Sequence, residues 1–530
     1  MISIPNLKLA PGADEAQLRA LAARALNVPP QDITALRIRK KSLDARRKDD
    51  IHYVYTVGVS VRGDEQRLVR RCRSAAIAHE KAYPIPHVAP PQTRPVIVGF
   101  GPAGMFAALL LARAGARPIV LERGPDAQTR SAQIAAFRAG GAFDPECNVQ
   151  FGEGGAGTFS DGKLNTGTHD ARIGFVLAEF AAHGAPEHIT YDAKPHIGTD
   201  VLVEVVQSLR REVIVRGGEV RFGHRMTGLS TQDGRITALT VRSPGGDYTL
   251  PARQVILAIG HSARDTFEML HAQGVPMEPK PFSMGVRIEH RQKDINTAQY
   301  GAAAERLPAA DYSLSCHLPD GSSAYTFCMC PGGEVFAAAS EAGGVCTNGM
   351  SNSRRDGENA NAAVLVTLRP EDFPDKGTLG GMYWQRSIEQ RAYVCGGGNY
   401  HAPAQRVGDF LAGRASTAPG RVQPTYRPGV TWCDLHDVLP ARITATLAQA
   451  LPAFGQKLRG FDDPDAVLTA PETRSSSPVR IVRGPDRCST GVQGLYPCGE
   501  GAGYAGGITS AAVDGLRCAE CVIKALQNEA

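Results

Sequence analysis

The sequence has no long hydrophobic run and little excess charge. No apolar stretch approaches the roughly 18 to 20 residues that cross a bilayer. The first 25 residues also lack a basic segment followed by an apolar core. We therefore expect neither membrane insertion nor secretion, and a cytoplasmic location. The 58 Lys and Arg residues against 53 Asp and Glu leave a net charge of only +5, which by itself does not predict a nucleic-acid partner.

The 12 cysteines are scattered along 530 residues, a pattern that argues against a disulfide framework and for reduced thiols. Glycine is abundant, at 58 residues, and occurs in blocks, as expected where the backbone turns tightly or approaches a ligand. With 42% apolar and 21% charged residues, the chain has the composition of a globular protein. Its length predicts about three or four folding units.

The first predicted unit covers residues 1–92. Helical spacing in DEAQLRALAARALNV and strict alternation in IHYVYTVGVSV predict a small α/β domain. A basic strip lies between these segments and consists of Arg37, Arg39, Lys40, Lys41, Arg46, Arg47 and Lys48. We interpret the strip as a solvated strand edge and loop, and a surface for a partner protein, RNA or an anionic ligand is the alternative. Nucleic acid is thus disfavoured as a partner but stays open through this strip.

The most informative segment is RPVIVGFGPAGMFAALLLARAGARPIVLERG, which follows a proline-rich linker. Its G-x-G-x-x-G motif begins at Gly99, after a buried strand and before a long apolar helix. Gly99 permits the tight turn, Gly101 lets the backbone approach a pyrophosphate, and Gly104 lets helix and strand pack closely. The helix N-terminus offers free N–H groups to the phosphates. The segment therefore predicts a dinucleotide site.

Glu122 ends the second strand of this segment, at the distance where an acid accepts hydrogen bonds from the adenosine ribose. Chance alone gives about one such glycine motif per chain at this Gly frequency. Two further matches, at Gly152 and Gly501, lack the combination of strand, helix and acid. The cofactor-binding residues predicted here are Gly99, Gly101, Pro102, Ala103, Gly104, Glu122 and Arg123.

The last part of the chain carries GVQGLYPCGEGAGYAGGITSAAVDG, which resembles the second FAD fingerprint of glutathione-reductase-type flavoproteins. The resemblance implies that the acid, here Glu500 where Asp is usual, holds the flavin ribityl chain, and that the helix N-terminus faces the flavin pyrimidine. VILAIG, ending at Gly260, resembles the segment that returns the chain to the sheet beside FAD, and an ordinary strand end is the alternative. The residues implied as cofactor-binding are Gly260, Gly499, Glu500, Gly507, Ile508 and Thr509.

NVQFGEGGAGTFSDGKLNTG fits a loop that covers the flavin, because it supplies repeated backbone N–H groups. Lys163 either faces the flavin N1/O2 side or an anionic substrate, or forms a structural salt bridge to Asp161 or Glu153. The cofactor-binding residues predicted in this loop are Gly154, Gly155, Gly157, Thr158, Ser160 and Asp161.

Taken together, the chain resembles the bacterial and plastid family of uncharacterised FAD-dependent dehydrogenases, which are relatives of the HI0933-like flavoproteins. The shared blocks include KKSLDARRK, PHIGTD, FSMGVRIEH, YTFCMCPGG, SNSRRDGENANAA, GGGNYHAPAQRVGDFL and PETRSSSPVRIVR. The resemblance implies FAD and oxidoreductase chemistry without a substrate.

The predicted fold class is α/β: a Rossmann-like FAD-binding domain with an inserted, mainly antiparallel β substrate domain and a small N-terminal α/β domain. We assign the FAD-binding domain to residues 93–268 and 481–530, and the substrate domain to 269–480.

Candidate substrate-side residues lie in the densest polar motifs of the inserted domain. Arg474 is the first choice for clamping a substrate carboxylate or phosphate, with Glu472 orienting it. Arg287 and Glu289 alternate on one strand face, and His401 follows a glycine triplet and is suited to proton transfer. For each of these residues a purely structural role is the alternative.

Two cysteine pairs invite a redox or metal role. Cys518 and Cys521 lie one helical turn apart, but no second pair completes a zinc site, and we expect no bound metal. Cys328 and Cys330 alternate along a predicted strand and point the same way, either as ordinary strand residues or as a redox pair. No C-x-x-x-x-C follows the first FAD strand and helix, which excludes the dithiol arrangement of disulfide reductases.

No separate NAD(P) domain is predicted, because the third glycine motif belongs to the final flavin segment. Electrons then come from a small-molecule substrate, from transient NAD(P)H docking or from a protein donor. The predicted function is an FAD-dependent oxidoreductase that transfers hydride between a small, anionic substrate and flavin N5. The alternatives are an RNA-associated or tRNA-modifying flavoprotein, and a protein whose FAD is structural or regulatory.

Overall fold

The computed structural model describes residues 1–72, 74–78 and 82–529. The N-terminal unit is a four-stranded sheet, in the order β2-β3-β1-β4, with two helices. On β3 the alternate residues Tyr55, Val57, Val59 and Val61 are buried, as the pleat of a half-buried strand requires. The elements of this unit are β1 (Ile2–Leu9), α1 (Gln17–Leu26), β2 (Ile33–Asp44), β3 (His52–Val61), α2 (Glu65–Arg71) and β4 (Ala76–Ile77).

The basic strip lies on β2 and the turn after it, and part of its charge is paired locally. Arg46 bonds to Asp44 at 2.5 Å, and Arg47 to Asp49 at 2.8 Å. The backbone of Lys41 docks on the next domain: its N–H donates to the Tyr191 carbonyl, and its carbonyl accepts from Ala193 N–H, both at 2.8 Å. This part of the strip is therefore a contact between domains.

The second unit is built on a five-stranded parallel sheet in the order β23-β11-β5-β6-β7. Strand β5 is apolar and buried on both faces, because helices cover one face and a three-stranded antiparallel sheet, β10-β9-β8, covers the other. The elements of its first part are β5 (Val96–Val98), α3 (Pro102–Arg113), β6 (Ile119–Glu122), α4 (Ala127–Arg138), α5 (Arg172–Ala182), α6 (Thr199–Val215), β7 (Glu219–Phe222), β8 (Arg225–Gln232), β9 (Arg235–Arg242), β10 (Tyr248–Pro251), β11 (Val255–Leu257) and α7 (Arg264–Ala272).

The third unit is a seven-stranded sheet in the order β14-β15-β18-β13-β21-β19-β20, antiparallel except between β19 and β20. The chain enters it through β12 and leaves through β22, which pair with each other. Its elements are β12 (Met277–Pro279), β13 (Phe282–Arg291), α8 (Gln292–Tyr300), β14 (Ser315–His317), β15 (Ser323–Cys330), β16 (Gly333–Ala337), β17 (Thr347–Ser351), β18 (Asn359–Leu368), α9 (Gly380–Cys395), β19 (Ala402–Arg406), α10 (Val407–Leu411), β20 (Val430–Trp432), α11 (Ala441–Lys457), β21 (Val467–Glu472) and β22 (Val479–Ile481).

The chain then returns to the parallel sheet through β23 (Leu495–Pro497) and ends in α12 (Ile508–Glu529). Helix α12 packs closely on α3, since a Cβ on Gly515 would lie 2.1 Å from the Ala103 carbonyl oxygen. The predicted α/β fold class, with a mainly antiparallel insertion, is confirmed. Within the described ranges, no helix has both the length and the apolar character needed to cross a membrane.

Candidate active site

A cavity of about 390 Å³ lies where the parallel sheet meets the inserted sheet. Its wall comes from the β5–α3 turn, the glycine-rich loop before α5, the segment after β11 and the start of α12, together with strand residues of the insertion. This is the carboxyl edge of the parallel strands, where open α/β sheets bind their ligands.

Sterics require glycine at two positions of the β5–α3 turn, and a third glycine lines the cavity. Gly99 has φ +98°, and a Cβ there would lie 2.3 Å from the Ala258 carbonyl oxygen. A Cβ on Gly104 would lie 1.9 Å from the carbonyl oxygen of Gly99, so strand and helix approach as closely as the motif predicts. A Cβ on Gly101 meets nothing nearer than the Gly155 Cα at 3.7 Å, and Gly101 lines the cavity. Its open side is therefore available to a ligand.

The glycine-rich loop lies directly on this turn. Gly154 N–H donates to the Phe100 carbonyl at 2.9 Å, and a Cβ on Gly155 would lie 3.0 Å from the Gly101 Cα. Arg130, whose side chain is fully buried, holds the loop in place. Arg130 donates to four backbone carbonyls at 2.7 to 2.9 Å, those of Asn148, Val149, Glu153 and Gly155. Sequence reasoning missed Arg130, because no motif marks it.

Glu122 lines the cavity, but its carboxylate already accepts hydrogen bonds from three backbone N–H groups. Oε2 accepts from Phe100 N–H at 2.8 Å, and Oε1 accepts from Gly124 and Gly152 N–H at 3.0 Å each. A carboxylate offers about four acceptor positions. One position is left for a ribose hydroxyl, and the predicted ribose contact stays a prediction.

Arg123 lies beside Glu122 in a group of four charged side chains. It bonds to Glu146 and Asp265 at 2.8 Å, and Arg225 bonds to the same two acids at 2.7 and 3.2 Å. The guanidinium of Arg123 also stacks over the Phe151 ring, 4.0 Å from its centroid. Arg123 is thus held rigidly at the cavity wall.

The segment after β23 brings a second helix N-terminus to the cavity. Gly507 and Ile508 line it, and Glu500 Oε2 accepts from Gly507 N–H at 3.3 Å. Burial raises the pKa of Glu500 to about 7, although Gly507 N–H and the charge of Lys280 favour its ionised form.

The residues present fit a dinucleotide. The cavity combines an acid at the end of β6, two helix N-termini and a glycine cradle between Gly101 and Gly155 that a Cβ would narrow. The predicted cofactor residues that line the cavity are Gly99, Gly101, Pro102, Ala103, Glu122, Arg123, Gly155, Gly157, Ser160, Asp161, Gly260, Glu500, Gly507 and Ile508. Those that lie behind its wall are Gly104, Gly154, Thr158, Gly499 and Thr509; Thr509 Oγ1 donates to the Leu164 carbonyl at 2.7 Å.

Lys163 lines the cavity and forms the salt bridge that was the alternative to a flavin contact. Its Nζ lies 2.7 Å from the carboxylate of Asp161 and also donates to the Met329 carbonyl. Arg355 binds the same carboxylate through Nε at 2.9 Å. The buried Asp161 is thus shared by two cations. Arg355 was not among the predicted site residues, although it lies in the shared block SNSRRDGENANAA.

Glu472 lines the cavity, and its partner is Arg287 at 3.2 Å. Burial raises the pKa of Glu472 to about 7 against the opposing charge of Arg287. Arg287 itself lies behind the wall, fully buried. Glu289 also lies off the cavity, where it accepts from Thr425 and Asn359, and burial raises its pKa to about 7.

The expectation that Glu472 orients Arg474 is wrong. Arg474 lines the cavity but donates to Glu389 on α9, through Nε at 2.9 Å and Nη2 at 2.6 Å. Arg264 binds the other side of Glu389 at 2.8 Å. Glu472 accepts hydrogen bonds instead from Arg287, on the neighbouring strand β13, and from Thr347 on β17.

His401 is not brought to the cavity. It lies directly before β19, where a Cβ on Gly429 would lie 3.1 Å from its ring, and its backbone N–H donates to the side chain of Asn399. The glycine triplet before it shapes the end of α9, because a Cβ on Gly396 would lie 2.0 Å from the His401 carbonyl oxygen. The structure therefore gives no support to the predicted proton transfer by His401.

Comparison with known proteins places this geometry in a family. Residues 281–475 match a family described as "FAD-dependent protein, C-terminal domain-like", and residues 92–146 match an FAD binding domain. Residues 1–60 match a domain of unknown function. An uncharacterised protein of Clostridium beijerinckii is 46% identical over 99% of this chain and 98% of its own length.

The chain belongs to this family of FAD-dependent proteins. FAD as the predicted cofactor is confirmed by these matches, as is the broad class of flavoprotein oxidoreductase. Among solved structures, the flavin-dependent brominase Bmp2 aligns over 82% of this chain and 79% of its own, with 10% identity and a TM-score of 0.38. The p-nitrophenol 4-monooxygenase PnpA of Pseudomonas putida aligns over 83% and 81%, with 12% identity and a TM-score of 0.37.

Proposed function

We propose that this flavoprotein is a dehydrogenase or reductase of the glutathione-reductase type that transfers hydride between a small anionic substrate and flavin N5. The residues that would hold FAD are those of the β5–α3 turn, the glycine-rich loop, Glu122 and the start of α12. When bound, FAD supplies the two-electron chemistry. The chain's own residues bind and orient the substrate and move a proton.

The observation that carries the proposal is a titratable carboxyl group in the cavity wall. With its pKa raised to about 7 by burial, Glu472 is present in both protonation states near neutral pH. An acid or base works best when its pKa lies near the working pH. We assign to Glu472 the proton that accompanies hydride transfer, and to Arg287 the role of positioning its carboxyl group.

The charge around Lys163 supports an anionic substrate. Lys163 and Arg355 share the single carboxylate of Asp161, which leaves an excess positive charge beside the cavity. An anion that enters would be attracted by this charge without displacing a salt bridge. The electron donor would be NAD(P)H or a protein.

The test compares Glu472→Gln with Glu289→Gln. Both carboxyl groups are buried near Arg287 with a pKa of about 7, but only Glu472 lines the cavity. Anaerobic flavin bleaching is followed with a panel of small organic acids, NADH and NADPH from pH 5.5 to 8.5. We expect Glu472→Gln to remove the pH dependence near 7 and to slow bleaching by about 10²-fold or more, while Glu289→Gln keeps the profile.

A flavin that no donor reduces would overturn the proposal and favour a structural role for FAD. An unchanged pH profile in Glu472→Gln would leave an oxidoreductase but remove Glu472 from proton transfer.

A further inference from the structure

Cys328 and Cys330 form a thiol pair at the edge of the FAD cavity. Cys328 lines the cavity, whereas Cys330 is fully buried behind it. Both thiols are free, and Cys330 Sγ donates to the Cys328 carbonyl at 3.2 Å. Only Met329 separates the two cysteines on β15, so a disulfide between them would close within one short segment of the chain.

The backbone between the two cysteines departs from a regular strand. Cys328 has φ +41°, and the pairing of β15 with β18 shifts register between Phe327 and Cys330. A residue other than glycine with positive φ is strained, and strained residues and β-bulges cluster at functional sites.

Two cations hold this segment. Arg287 Nη2 donates to the Cys328 carbonyl at 2.7 Å and lies 3.5 Å from the Cys330 sulfur. Lys163 donates to the Met329 carbonyl between the two cysteines. Positive charge next to a thiol stabilises its thiolate, which is the form that reacts.

The balance of charge around Cys330 favours that form. Burial by itself raises the pKa of Cys330, but the hydrogen bond from Cys328 and the charges of Lys163 and Arg287 bring it to about 6. The pKa of Cys328 is raised, first by its hydrogen bond to Cys330 and then by burial. One thiolate and one thiol at neutral pH is the state from which a dithiol is oxidised most readily.

We propose that Cys328 and Cys330 are a redox-active dithiol that exchanges two electrons with the FAD bound in this cavity. In the oxidising direction the S–H bond of Cys328 breaks and one S–S bond forms between its sulfur and the Cys330 thiolate. The two electrons and the one proton released pass to the flavin. In the other direction the reduced flavin reopens the disulfide. The inference depends on the FAD site but not on the substrate proposed above.

The test is a reductive titration combined with a thiol count. Air-oxidised holoenzyme is titrated anaerobically with dithionite, and free thiols are counted in denaturant before and after. We expect two fewer thiols than the 12 cysteines before reduction and all 12 after it. Complete bleaching should consume twice the dithionite that one FAD requires. In Cys328→Ser and Cys330→Ser the consumption should halve, and reduction should release no new thiol.

Cys521→Ser is the matched control, because this half-buried cysteine lies on α12 and does not line the cavity. It should keep the doubled consumption. Peptide mass spectrometry of oxidised apoprotein supplies a readout without flavin: the peptide with both cysteines should lack two hydrogens. A wild-type protein that bleaches with one equivalent and keeps all thiols free after diamide treatment would overturn the inference. Doubled consumption in a protein that no metabolite bleaches would support the dithiol while removing the function proposed above.

Discussion

Arg474 and Glu389 are joined by two hydrogen bonds, from Nε at 2.9 Å and from Nη2 at 2.6 Å, although the residues are 85 positions apart. Both side chains are almost fully buried. A buried carboxylate held this way has little capacity to release its partner, because an uncompensated buried charge is costly. Arg474 therefore braces α9 against the end of β21 and presents only part of its surface to the cavity.

The first prediction concerns this brace. Arg474→Lys keeps the charge but loses the two-bond geometry. The free energy of unfolding should fall by about 1.5–3 kcal/mol for the lost charged hydrogen bond, and FAD retention should fall with it. Arg264→Lys is the control, since Arg264 binds the same carboxylate without lining the cavity. Both variants should lose a similar amount in melting temperature. If only Arg474→Lys weakened the quenching of flavin by sulfite, with stability intact, Arg474 would be an anion clamp instead.

The second prediction concerns Glu122. Glu122→Ala leaves three buried N–H groups without an acceptor, those of Phe100, Gly124 and Gly152. Each unsatisfied group costs about 1–3 kcal/mol. We expect the apoprotein to lose stability and FAD affinity to fall by tenfold or more. Melting of the apoprotein and flavin content of the purified variant measure the two effects. An apoprotein as stable as wild type would show that the three amides find other acceptors.

The third prediction distinguishes two roles of glycine in the β5–α3 turn: close approach of a ligand at Gly101 and close packing of strand and helix at Gly104. Gly101→Ala should fold normally, because φ is −78° and its Cβ would meet only Gly155 at 3.7 Å, but FAD affinity should fall at least tenfold. Gly104→Ala should destabilise the fold by about 1–3 kcal/mol or more, since its Cβ would overlap the Gly99 carbonyl. Melting curves with and without FAD distinguish the two. Full FAD affinity in Gly101→Ala would place the pyrophosphate elsewhere.

The fourth prediction concerns pH and Glu289. Its pKa is about 7 in the folded protein and near 4.5 when unfolded, so the folded state binds the extra proton between these values. The contribution of this group to the free energy of unfolding therefore falls as pH rises from about 4.5 to 7. Glu289→Gln should gain stability relative to wild type between pH 5 and pH 8, by up to about 3 kcal/mol. Urea unfolding at both pH values measures the difference. A difference that stays constant with pH would mean that Glu289 remains ionised in the fold.

The sequence alone predicts those parts of this protein whose chemistry depends on residues that are contiguous in the chain. The steric need for Gly99 and Gly104, the free N–H groups at the start of α3 and the acid at Glu122 all follow from one β-turn-α segment, whose geometry leaves few options. Likewise, alternation on β3 predicts a half-buried strand, because the pleat has a period of two residues.

Only the tertiary structure determined which of the predicted substrate-side residues line the cavity. The polar motifs of the inserted domain indicated Arg474, Arg287, Glu289 and His401 equally. Such motifs carry no information about which side chains line the same cavity. In the folded chain, Arg474 pairs with Glu389. Arg287 is buried between Glu472 and the Cys328–Cys330 segment, and His401 does not line the cavity. A buried ionisable group takes whichever opposite charge the packed strands and helices bring within hydrogen-bond distance, and that distance is set by the whole fold, not by neighbours in the sequence.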